Sequence, residues 1–473
     1  MKKIVFSTMV LLMTACSPIP KVERGTVIKP DDISTGLSDS RGFIFSNEEW
    51  WKIYKDPVLN QLAAYAMAEN EDLKTARLNI VKSDEAVELA ESSHGVEING
   101  MGDLKREKLG KNGTTPPPFG GKIITIGTLG LQGDYNIDIF NKLHSLTEEQ
   151  KYKSEAVKLN AKWIELNITN RVAKLYFYWN YLQQEKDTLG RQREILEKIA
   201  VLNRENLSIG SGVESSVWES ENELRSMDSL IKENQLNIQL TINNLNILTG
   251  NRHQKEIEEL LSGKNSMADL ILGQKLPLPS TVSSDVVVNR PDVEYYLMLI
   301  KGQEKHLAAA RTDFYPQFSI TGQWGFEGIT MGKILRRDSL LGFIGPSLYL
   351  PIFHSGAIRA DYKIAGTDLN IFIEEYNNAV LNAYNNINSE LYKTKTFSET
   401  LKNSDDSLVL EKKILEQNRE RLKIGTISQM EYLLAEYNWN SQKLGNQQEN
   451  FNFTTQQLAL LNALGGAYSN GGK

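Results

Sequence analysis

The sequence has few of the residues from which disulfides, metal sites and hydrolytic centres are built. One of its 473 residues is cysteine and five are histidines, so no disulfide can form within the chain. The histidines are scattered and form no His-Glu-x-x-His pattern, and there is no Cys-x-x-Cys pair. Because no spacing indicates a catalytic or metal-binding group, we expect neither enzymatic activity nor a cofactor.

The sequence also lacks a surplus of basic residues. Lysine and arginine number 53 against 59 aspartates and glutamates, which gives a net charge of −6, and we therefore expect no nucleic-acid partner. The segment Gly328-x-x-x-Gly332-Lys333 is similar to a phosphate-binding loop but is one residue short. Strand patterns lie on both sides of it, and no helix pattern opens after it. We interpret it as a surface loop with a basic tip.

The N-terminal apolar stretch is too short to cross a bilayer as a helix. Two lysines precede an apolar run from Ile4 to Met13, and small residues then lead into Cys16. This arrangement resembles the bacterial lipobox. We predict a lipoprotein signal peptide over residues 1–15 and a covalent diacylglycerol and N-acyl lipid on Cys16. The next residue is Ser17 rather than an aspartate, which resembles the sequence of lipoproteins that are sorted to the outer membrane. The alternative is a short signal peptide with a chance cysteine.

Four stretches show the strict two-residue alternation of strands with one apolar and one polar face. They form two predicted hairpins, at about 96–139 and 317–353. A soluble sheet packs its apolar face on a core, but these strands are flanked by long polar helices with little to cover them. Strands of about ten residues that are apolar outside and polar inside are what a membrane barrel needs. The clearest apolar positions are Leu129, Leu131, Tyr135, Ile137, Phe318, Ile320, Trp324, Phe326, Leu340, Ile344 and Leu348, and polar residues such as Gln132, Asp134, Asn136, Gln317 and Gln323 alternate with them.

Helical periodicity fills most of the remaining chain. A helical pattern runs from about Pro57 to Ser93, and two long proline-free segments run from about 141 to 206 and from about 355 to 423. A helix of about 65 residues is about 100 Å long, which excludes a globular core helix. A heptad pattern follows each long segment and indicates coiled-coil packing. Its positions are Val217, Leu224, Ile231, Ile238 and Leu245, and then Met430, Tyr437, Leu444, Phe451 and Leu458.

The same order of elements occurs twice, which predicts an internal tandem duplication. Ile139-Phe140 matches Ile352-Phe353 at an offset of 213, and Ile209-Gly210 matches Ile424-Gly425 at an offset of 215. We divide the chain into the signal peptide (1–15), a lipidated N-terminal arm (16–56), a first repeat (57–250), an equatorial linker (251–290), a second repeat (291–466) and a C-terminal tail (467–473).

Four strands per chain are too few for a closed membrane barrel. An open sheet edge in lipid costs several kcal/mol per unpaired backbone group, and the smallest membrane barrels have about eight strands. The chain must therefore pool its strands with copies of itself. A trimer gives twelve strands, whereas a dimer gives eight, whose side chains would nearly fill the interior. The helices are too polar to enter the membrane and must extend away from it.

Seven short motifs resemble the TolC-like outer-membrane efflux channels, in the lipoprotein branch that serves RND-type tripartite pumps. The resemblance covers nearly the whole mature chain. It implies a mixed α and β membrane protein in which a trimeric 12-stranded outer-membrane barrel continues into a long periplasmic helical barrel. The motifs are Trp50-Trp51 with Asp56-Pro57, Asp138-Ile139-Phe140, Asn289-Arg290-Pro291-Asp292-Val293, Phe314-Tyr315-Pro316, Gly345-Pro346-Ser347, Leu350-Pro351-Ile352-Phe353 and Ala463-Leu464-Gly465-Gly466.

The resemblance also implies a gate in the second helical hairpin. Met430 aligns with the apolar gate ring of the family, and Glu431 beside it would form a threefold acidic ring that favours cations. Leu434 and Tyr437 stand where some relatives have an Asp and an Arg, so a charged latch is not expected. The alternative is that Met430 and Leu434 are heptad core and that Glu431 is solvated.

Two hairpin tips resemble the motif that periplasmic adaptors grip. Ile209-Gly210 and Ile424-Gly425 provide an apolar residue and a glycine that permits a tight reversal. A simple turn would look the same in sequence.

The sequence therefore predicts a lipid-anchored outer-membrane exit channel of a tripartite efflux system. Its partners would be two further copies of the chain, outer-membrane lipid, a periplasmic adaptor and an inner-membrane RND-type pump. Two alternatives stay open: the outer-membrane duct of a type I protein secretion system, and a non-conducting periplasmic coiled-coil lipoprotein or adaptor.

Overall fold

The computed structural model describes residues 19–29, 43–45, 49–113, 115, 117–262, 272–276, 284–466 and 468–470. Cys16 and the predicted signal peptide lie outside these residues. The chain divides into two compact units. The first contains described residues up to Val27, 79–158 and 295–376, and the second contains those of 28–78, 159–294 and 377–473.

Nine helices and six strands follow one another in the described chain. Strand β1 (Phe43–Phe45) precedes a short 3-10 helix (Trp50–Tyr54), α1 (Pro57–Glu69), α2 (Glu71–Ser92), β2 (Glu97–Lys108), β3 (Ile123–Ile137), α3 (Lys142–Ser208) and α4 (Glu214–Leu248). They are followed by α5 (Gln254–Ser262), α6 (Ser284–Val288), α7 (Pro291–Thr312), β4 (Gln317–Gly328), β5 (Leu340–Tyr349), α8 (Ala357–Lys423), α9 (Gln429–Ala463) and β6 (Tyr468–Asn470).

The four predicted strands form one antiparallel sheet in the first unit. Its order is β2-β3-β4-β5, and the strands begin and end within a few residues of the predicted hairpins. Leu350 and Ile352, predicted to continue the last strand, lie beyond its end at Tyr349. The Gly328–Lys333 segment lies in the β4–β5 connection, which contains only single 3-10 turns.

The two long helices are each 67 residues long, about 100 Å at 1.5 Å per residue, and the helices that follow them are each 35 residues long. Their heptad residues form packed clusters in the second unit, as predicted. Near the hairpin tips, Leu224, Ile231, Met430 and Tyr437 pack around Ile195 and Leu433. Farther along, Ile238, Leu245 and Leu458 join a larger cluster with Phe177 and Leu182.

The predicted helical run from 57 to 93 is two helices, because Asn70 interrupts it. The Asn70 side-chain oxygen accepts hydrogen bonds from the backbone N–H groups of Asp72 and Leu73 at 3.0 and 3.2 Å. Its amide nitrogen donates to the carbonyl of Leu248 at 2.9 Å. Asn70 therefore caps α2 and ties it to the end of α4.

The segment predicted as a linker contains core residues. Helix α5 lies within residues 251–290, and its Ile257 is fully buried with Leu261 beside it. Leu272 and Leu276 join the same cluster. The predicted tail also contains structure, since β6 pairs with β1 in an antiparallel register.

A buried carboxylate joins α3 to α7 in the first unit. Glu149 accepts a hydrogen bond from Nδ1 of His306 at 2.9 Å and one from Lys153 at 2.5 Å. The hydrogen bond to Glu149 raises the pKa of His306, with Lys153 acting against this and Asp368 of α8 adding to it. Burial acts to raise the pKa of Glu149, but the hydrogen bonds from His306 and Lys153 outweigh it, and the pKa is lowered overall.

Candidate functional site

The strand register places all the alternating apolar residues on one face of the sheet. Leu131 pairs with Gly100 on one side and with Trp324 on the other, and Trp324 pairs in turn with Gly342. Every such row across the four strands, from Ile98 to Leu348, contains apolar residues or glycine. We call this surface the apolar face. Its large side chains are exposed in the single chain, with Trp324 at 64% and Ile344 at 80%.

The opposite surface is mostly polar, although Met101, Leu341 and Phe343 also lie on it, and we call it the polar face. Gln132 pairs with Asn99 and with Gln323, and its amide donates to Asp134 at 3.0 Å. Acidic residues predominate there, and the row that joins Glu97 to Asp134 sets two carboxylates opposite each other. A sheet with these two faces can separate lipid from water, with cations favoured on the water side.

Two of the sequence motifs connect the sheet to the neighbouring helices through side-chain contacts. Asp138, in the Asp-Ile-Phe motif, accepts hydrogen bonds from the backbone N–H groups of Leu143 and His144 at 3.1 and 2.8 Å and so caps α3. Phe140 stacks on Tyr315 of the Phe-Tyr-Pro motif, with 4.9 Å between ring centroids. Sequence reasoning used both motifs as family markers and missed these roles.

A third motif, Arg290-Pro291-Asp292, lies in the second unit and contains a buried arginine. Arg290 is 3% exposed and donates two hydrogen bonds to the Asp292 carboxylate, at 3.0 and 2.8 Å. It also donates to the carbonyl of Ala463 at 2.6 Å and lies over the ring of Trp163. The Arg-Pro-Asp motif therefore fastens the start of α7 to the end of α9, a role that requires partners far away in sequence.

The two hairpin tips have the same geometry. Gly210 and Gly425 have φ angles of +76° and +75°, the left-handed conformation that glycine adopts most easily. In each tip the backbone N–H of the third residue after the helix donates to the carbonyl five residues earlier, from Ser211 to Asn206 and from Thr426 to Arg421, at 2.9 Å. Ile209 and Ile424 beside the glycines are 75% and 74% exposed. Each tip thus presents an exposed isoleucine to solvent, and the first tip also exposes Val213.

The three candidate gate residues have different surroundings. Met430 is partly buried and packs against the cluster around Leu433, whereas Leu434 is 47% exposed. Glu431 is exposed and forms a capping box with Ser428: its carboxylate accepts from the Ser428 N–H at 2.7 Å, and the Ser428 hydroxyl accepts from the Glu431 N–H at 3.2 Å. The Ser-x-x-Glu spacing carries this signal, and sequence reasoning overlooked it.

Donation from the Ser428 backbone, and then from its hydroxyl, lowers the pKa of Glu431. Glu431 is therefore held as a charged carboxylate at the start of α9, where the helix dipole also favours negative charge.

Among the described residues, no group of three or more histidine, cysteine, aspartate or glutamate side chains has the geometry to hold a metal ion. The same part of the chain contains no helix that is both long enough and apolar enough to cross a membrane.

Comparison with known proteins identifies the class to which this fold belongs. The family model described as outer membrane efflux protein matches residues 62–251 and 282–466. The chain belongs to the outer membrane efflux protein family.

Relatives agree with this assignment at low identity. The probable efflux pump outer membrane protein TtgC of Pseudomonas putida is 23% identical over 430 residues, covering 89% of this chain and 86% of that protein. The multidrug resistance outer membrane protein MdtP of Escherichia coli K12 is 23% identical over 352 residues, covering 72% and 70%.

Solved structures share the fold. The CmeC outer membrane channel of Campylobacter jejuni matches with a TM-score of 0.79 at 23% identity, covering 97% of this chain and 96% of that one. The open state of the MtrE outer membrane channel of Neisseria gonorrhoeae matches with a TM-score of 0.74 at 20% identity, covering 95% and 98%.

Proposed function

We propose that the protein is the exit channel of a tripartite efflux system and passively conducts drugs, other toxic small molecules or metal ions to the cell exterior. The observation that carries this proposal is the exposed apolar face of the four-stranded sheet, in a chain of the outer membrane efflux protein family. The matched relatives are named for efflux of toluene and for multidrug resistance, which favours small molecules over exported proteins. A non-conducting coiled-coil lipoprotein would need no such sheet.

Three copies of the chain would complete the barrel. Strands β2 and β5 are the edges of the sheet in the described chain, and open edges in lipid are strongly unfavourable. Pairing β5 of one copy with β2 of the next, three times, closes a barrel of twelve strands. The polar face would then line the water-filled interior, and the long helices would form the periplasmic helical barrel.

Helix α8 carries exposed apolar side chains that support contact between copies. Seven large apolar side chains of this helix are exposed in the single chain, and a neighbouring copy would cover them. They are Ile364, Ile371, Leu381, Tyr392, Val409, Leu410 and Ile414. We propose that these side chains pack against the adjacent copy.

The equal helix lengths support the tandem duplication. Each proposed repeat, 57–250 and 291–466, contains a shorter helix before its hairpin, a 67-residue helix and a 35-residue helix. We propose that the two repeats arose by copying one helix–hairpin–helix–helix unit, with residues 251–290 between them.

The course of residues 19–27, which we call the N-terminal strap, supports lipid anchoring at Cys16. The Gly25 N–H donates to Asn370 of α8 at 2.8 Å, and Val22 lies against Gly366, leaving no room there for a Cβ atom. The strap thus follows α8 back toward its first residue, Ala357, where β5 has just ended. Six residues span at most about 20 Å and nine helical residues about 14 Å, so Cys16 can reach the start of α8.

The lipid anchor has a direct test. Cys16→Ser should abolish incorporation of radiolabelled palmitate. A labelled mutant protein would refute modification at this residue.

We propose that the hairpin tips carry the gate and the adaptor contacts. The exposed Ile209 and Ile424 beside their glycines would bind the periplasmic adaptor, which in turn connects to an inner-membrane RND-type pump. Met430, Glu431 and Leu434 would narrow the pore at its periplasmic end. The exposure of Leu434 and the charge of Glu431 support this role, and the partly buried Met430 would contribute to it while also packing against the cluster around Leu433.

Single-channel recording tests the proposal. The purified protein in detergent should be a trimer and should produce discrete conductance steps in planar bilayers. Met430→Ala combined with Glu431→Ala should raise the open probability or conductance, and unchanged closure would place the gate elsewhere. A monomeric protein without conductance would overturn the channel function.

A further inference from the structure

The free end of the sheet is defined by the strand register. Strand β2 begins at Glu97, opposite Asp134 near the end of β3, and β4 begins at Gln317, opposite Tyr349 at the end of β5. All four helix connections therefore lie at one end, and the β2–β3 and β4–β5 loops lie at the other. Since the proposed function places the helices in the periplasm, the loops face the cell exterior, and the inference below rests on that orientation.

Positive charge begins on the apolar face where its apolar residues end. The last apolar position of β2 is Leu104, which pairs with Gly127. The next residues on the same face are Arg106 and Lys108, which pair with Thr125 and Ile123. At about 3.4 Å per residue, they lie about 7 and 14 Å beyond Leu104.

The β4–β5 loop brings further cations to the same place. Ile334 packs over Gly127 and leaves no room for a Cβ atom there, and the same position lies 3.3 Å from Cδ1 of Leu104. The loop is thus folded onto the apolar face beside the last apolar residue of β2. Its basic residues Lys333, Arg336 and Arg337 are exposed at this end of the sheet.

These cations have no hydrogen-bonded or ion-paired partner among the residues that the structure describes. We call Arg106, Lys108, Lys333, Arg336 and Arg337 the basic collar. Across the described ranges, no hydrogen bond or ion pair engages any of their side chains. By contrast Lys105, which lies on the polar face, pairs with Glu107 at 2.7 Å. The collar is therefore a patch of unpaired positive charge in a chain whose net charge is −6.

The apolar face offers matching space for acyl chains. An open groove of about 740 Å³ runs across it, lined by Ile98, Leu131, Tyr135, Trp324 and Ile344. The groove is also lined by glycines such as Gly133 and Gly322, which let an acyl chain approach the backbone closely. The groove residues nearest to the collar, Leu131 and Trp324, lie about 20 Å from Arg106 along the strands, so acyl chains that descend from phosphate groups at the collar would reach the near end of the groove.

We propose that the basic collar binds the phosphate groups of the phosphorylated glycolipid that forms the outer leaflet of the outer membrane, while its acyl chains cover the groove. Cations placed just beyond an apolar band lie at headgroup depth and attract anionic lipid. The outer-leaflet glycolipid is the occupant because the collar lies at the exterior end, where phospholipids of the inner leaflet do not reach. The collar would fix the depth and tilt of the channel.

The test is lipid binding by the full-length protein in detergent, measured by native mass spectrometry with bisphosphorylated lipid A as the probe. Each cation near an anionic surface strengthens binding about fivefold, so Arg106→Gln with Lys108→Gln should weaken binding about 25-fold. The matched control is Lys105→Gln, one residue away on the opposite face, which should bind like the unmodified protein. Monophosphorylated lipid A should bind more weakly than the bisphosphorylated form.

Three outcomes would overturn the proposal: equal binding by the double variant, an equal loss in the control, or equal affinity for phosphatidylglycerol. The third would show a general attraction to anionic lipid. Failure of this inference is distinguishable from failure of the channel function, because the unmodified protein would still form conducting trimers if only the lipid contact were wrong.

Discussion

A lysine at Leu131 tests which face of the sheet meets lipid. Leu131 lies on the apolar face between Gly100 and Trp324, and its neighbour Gln132 lies on the polar face. A lysine on the lipid side near the middle of the bilayer costs about 2–4 kcal/mol. In the proposed trimeric barrel, three copies would raise this to about 6–12 kcal/mol per trimer. Gln132→Lys adds the same charge beside Asp134 on the water side and should change stability by no more than about 0.5 kcal/mol.

The measurement is unfolding by guanidinium in lipid vesicles, together with the yield of trimer on unboiled gels. Leu131→Lys should lower the free energy of unfolding and the trimer yield, while Gln132→Lys should match the unmodified protein. Leu131→Ala removes apolar volume without adding charge and should lie much closer to the unmodified protein. If the two lysine variants behaved alike, or if only Gln132→Lys failed to assemble, the assignment of the faces would be wrong.

Three further predictions concern the helices. Glu431→Gln keeps an acceptor for the capping box and removes the charge, so it should lower cation selectivity in bilayers and cost less stability than Glu431→Ala, which removes the acceptor as well. Equal selectivity of Glu431→Gln and the unmodified channel would limit this residue to capping. Glu149 raises the pKa of His306 above its ordinary 6.5. The ion pair therefore contributes to stability at pH 6, and this contribution is lost as the pH rises through the raised pKa. Thermal unfolding between pH 6 and 8 should show the loss, and the His306→Gln variant should not show it. Ile209→Asp and Ile424→Asp should each weaken binding of the partner adaptor in a pull-down while leaving conductance intact, and undiminished binding by both variants would exclude the tips as the contact.

The sequence predicted the elements whose signal is repeated many times. The two-residue alternation extends over ten residues and the heptads over four intervals, so many positions indicate the same buried or exposed face. For this reason the strands and the coiled-coil residues were located correctly. Single events were missed. Asn70 was overlooked as the N-cap of α2, although the acidic Glu71 and Asp72 that follow it are a helix-start signal. Its second hydrogen bond, to the Leu248 carbonyl 178 residues away, has no local signal in the sequence.

Short or buried features escaped for related reasons. Helix α5 has nine residues, and its three apolar positions, Ile257, Leu260 and Leu261, do have helical spacing. They were overlooked because the sequence around them contains Gly, Ser and Pro and was interpreted as a linker. Arg290 is charged, and its burial is possible only because Asp292, the Ala463 carbonyl and Trp163 surround it. In the candidate site, the tight reversals at the tips were predictable from the glycines of the sequence. The sequence alone did not show that Met430 is packed and Leu434 exposed, because that depends on how the neighbouring helices lie around them.

The matched lengths of α3 and α8 constrain how this protein can evolve. Removing one heptad from α3 alone would shorten it by about 10 Å and leave its tip two turns out of level with the tip of α8. Removing fewer residues would also rotate the heptad positions away from their partners. Because α4 and α9 pack beside the long helices, viable length variants should therefore carry insertions or deletions of seven residues in both arms of each hairpin, so that genes for longer or shorter relatives record four coordinated events rather than one.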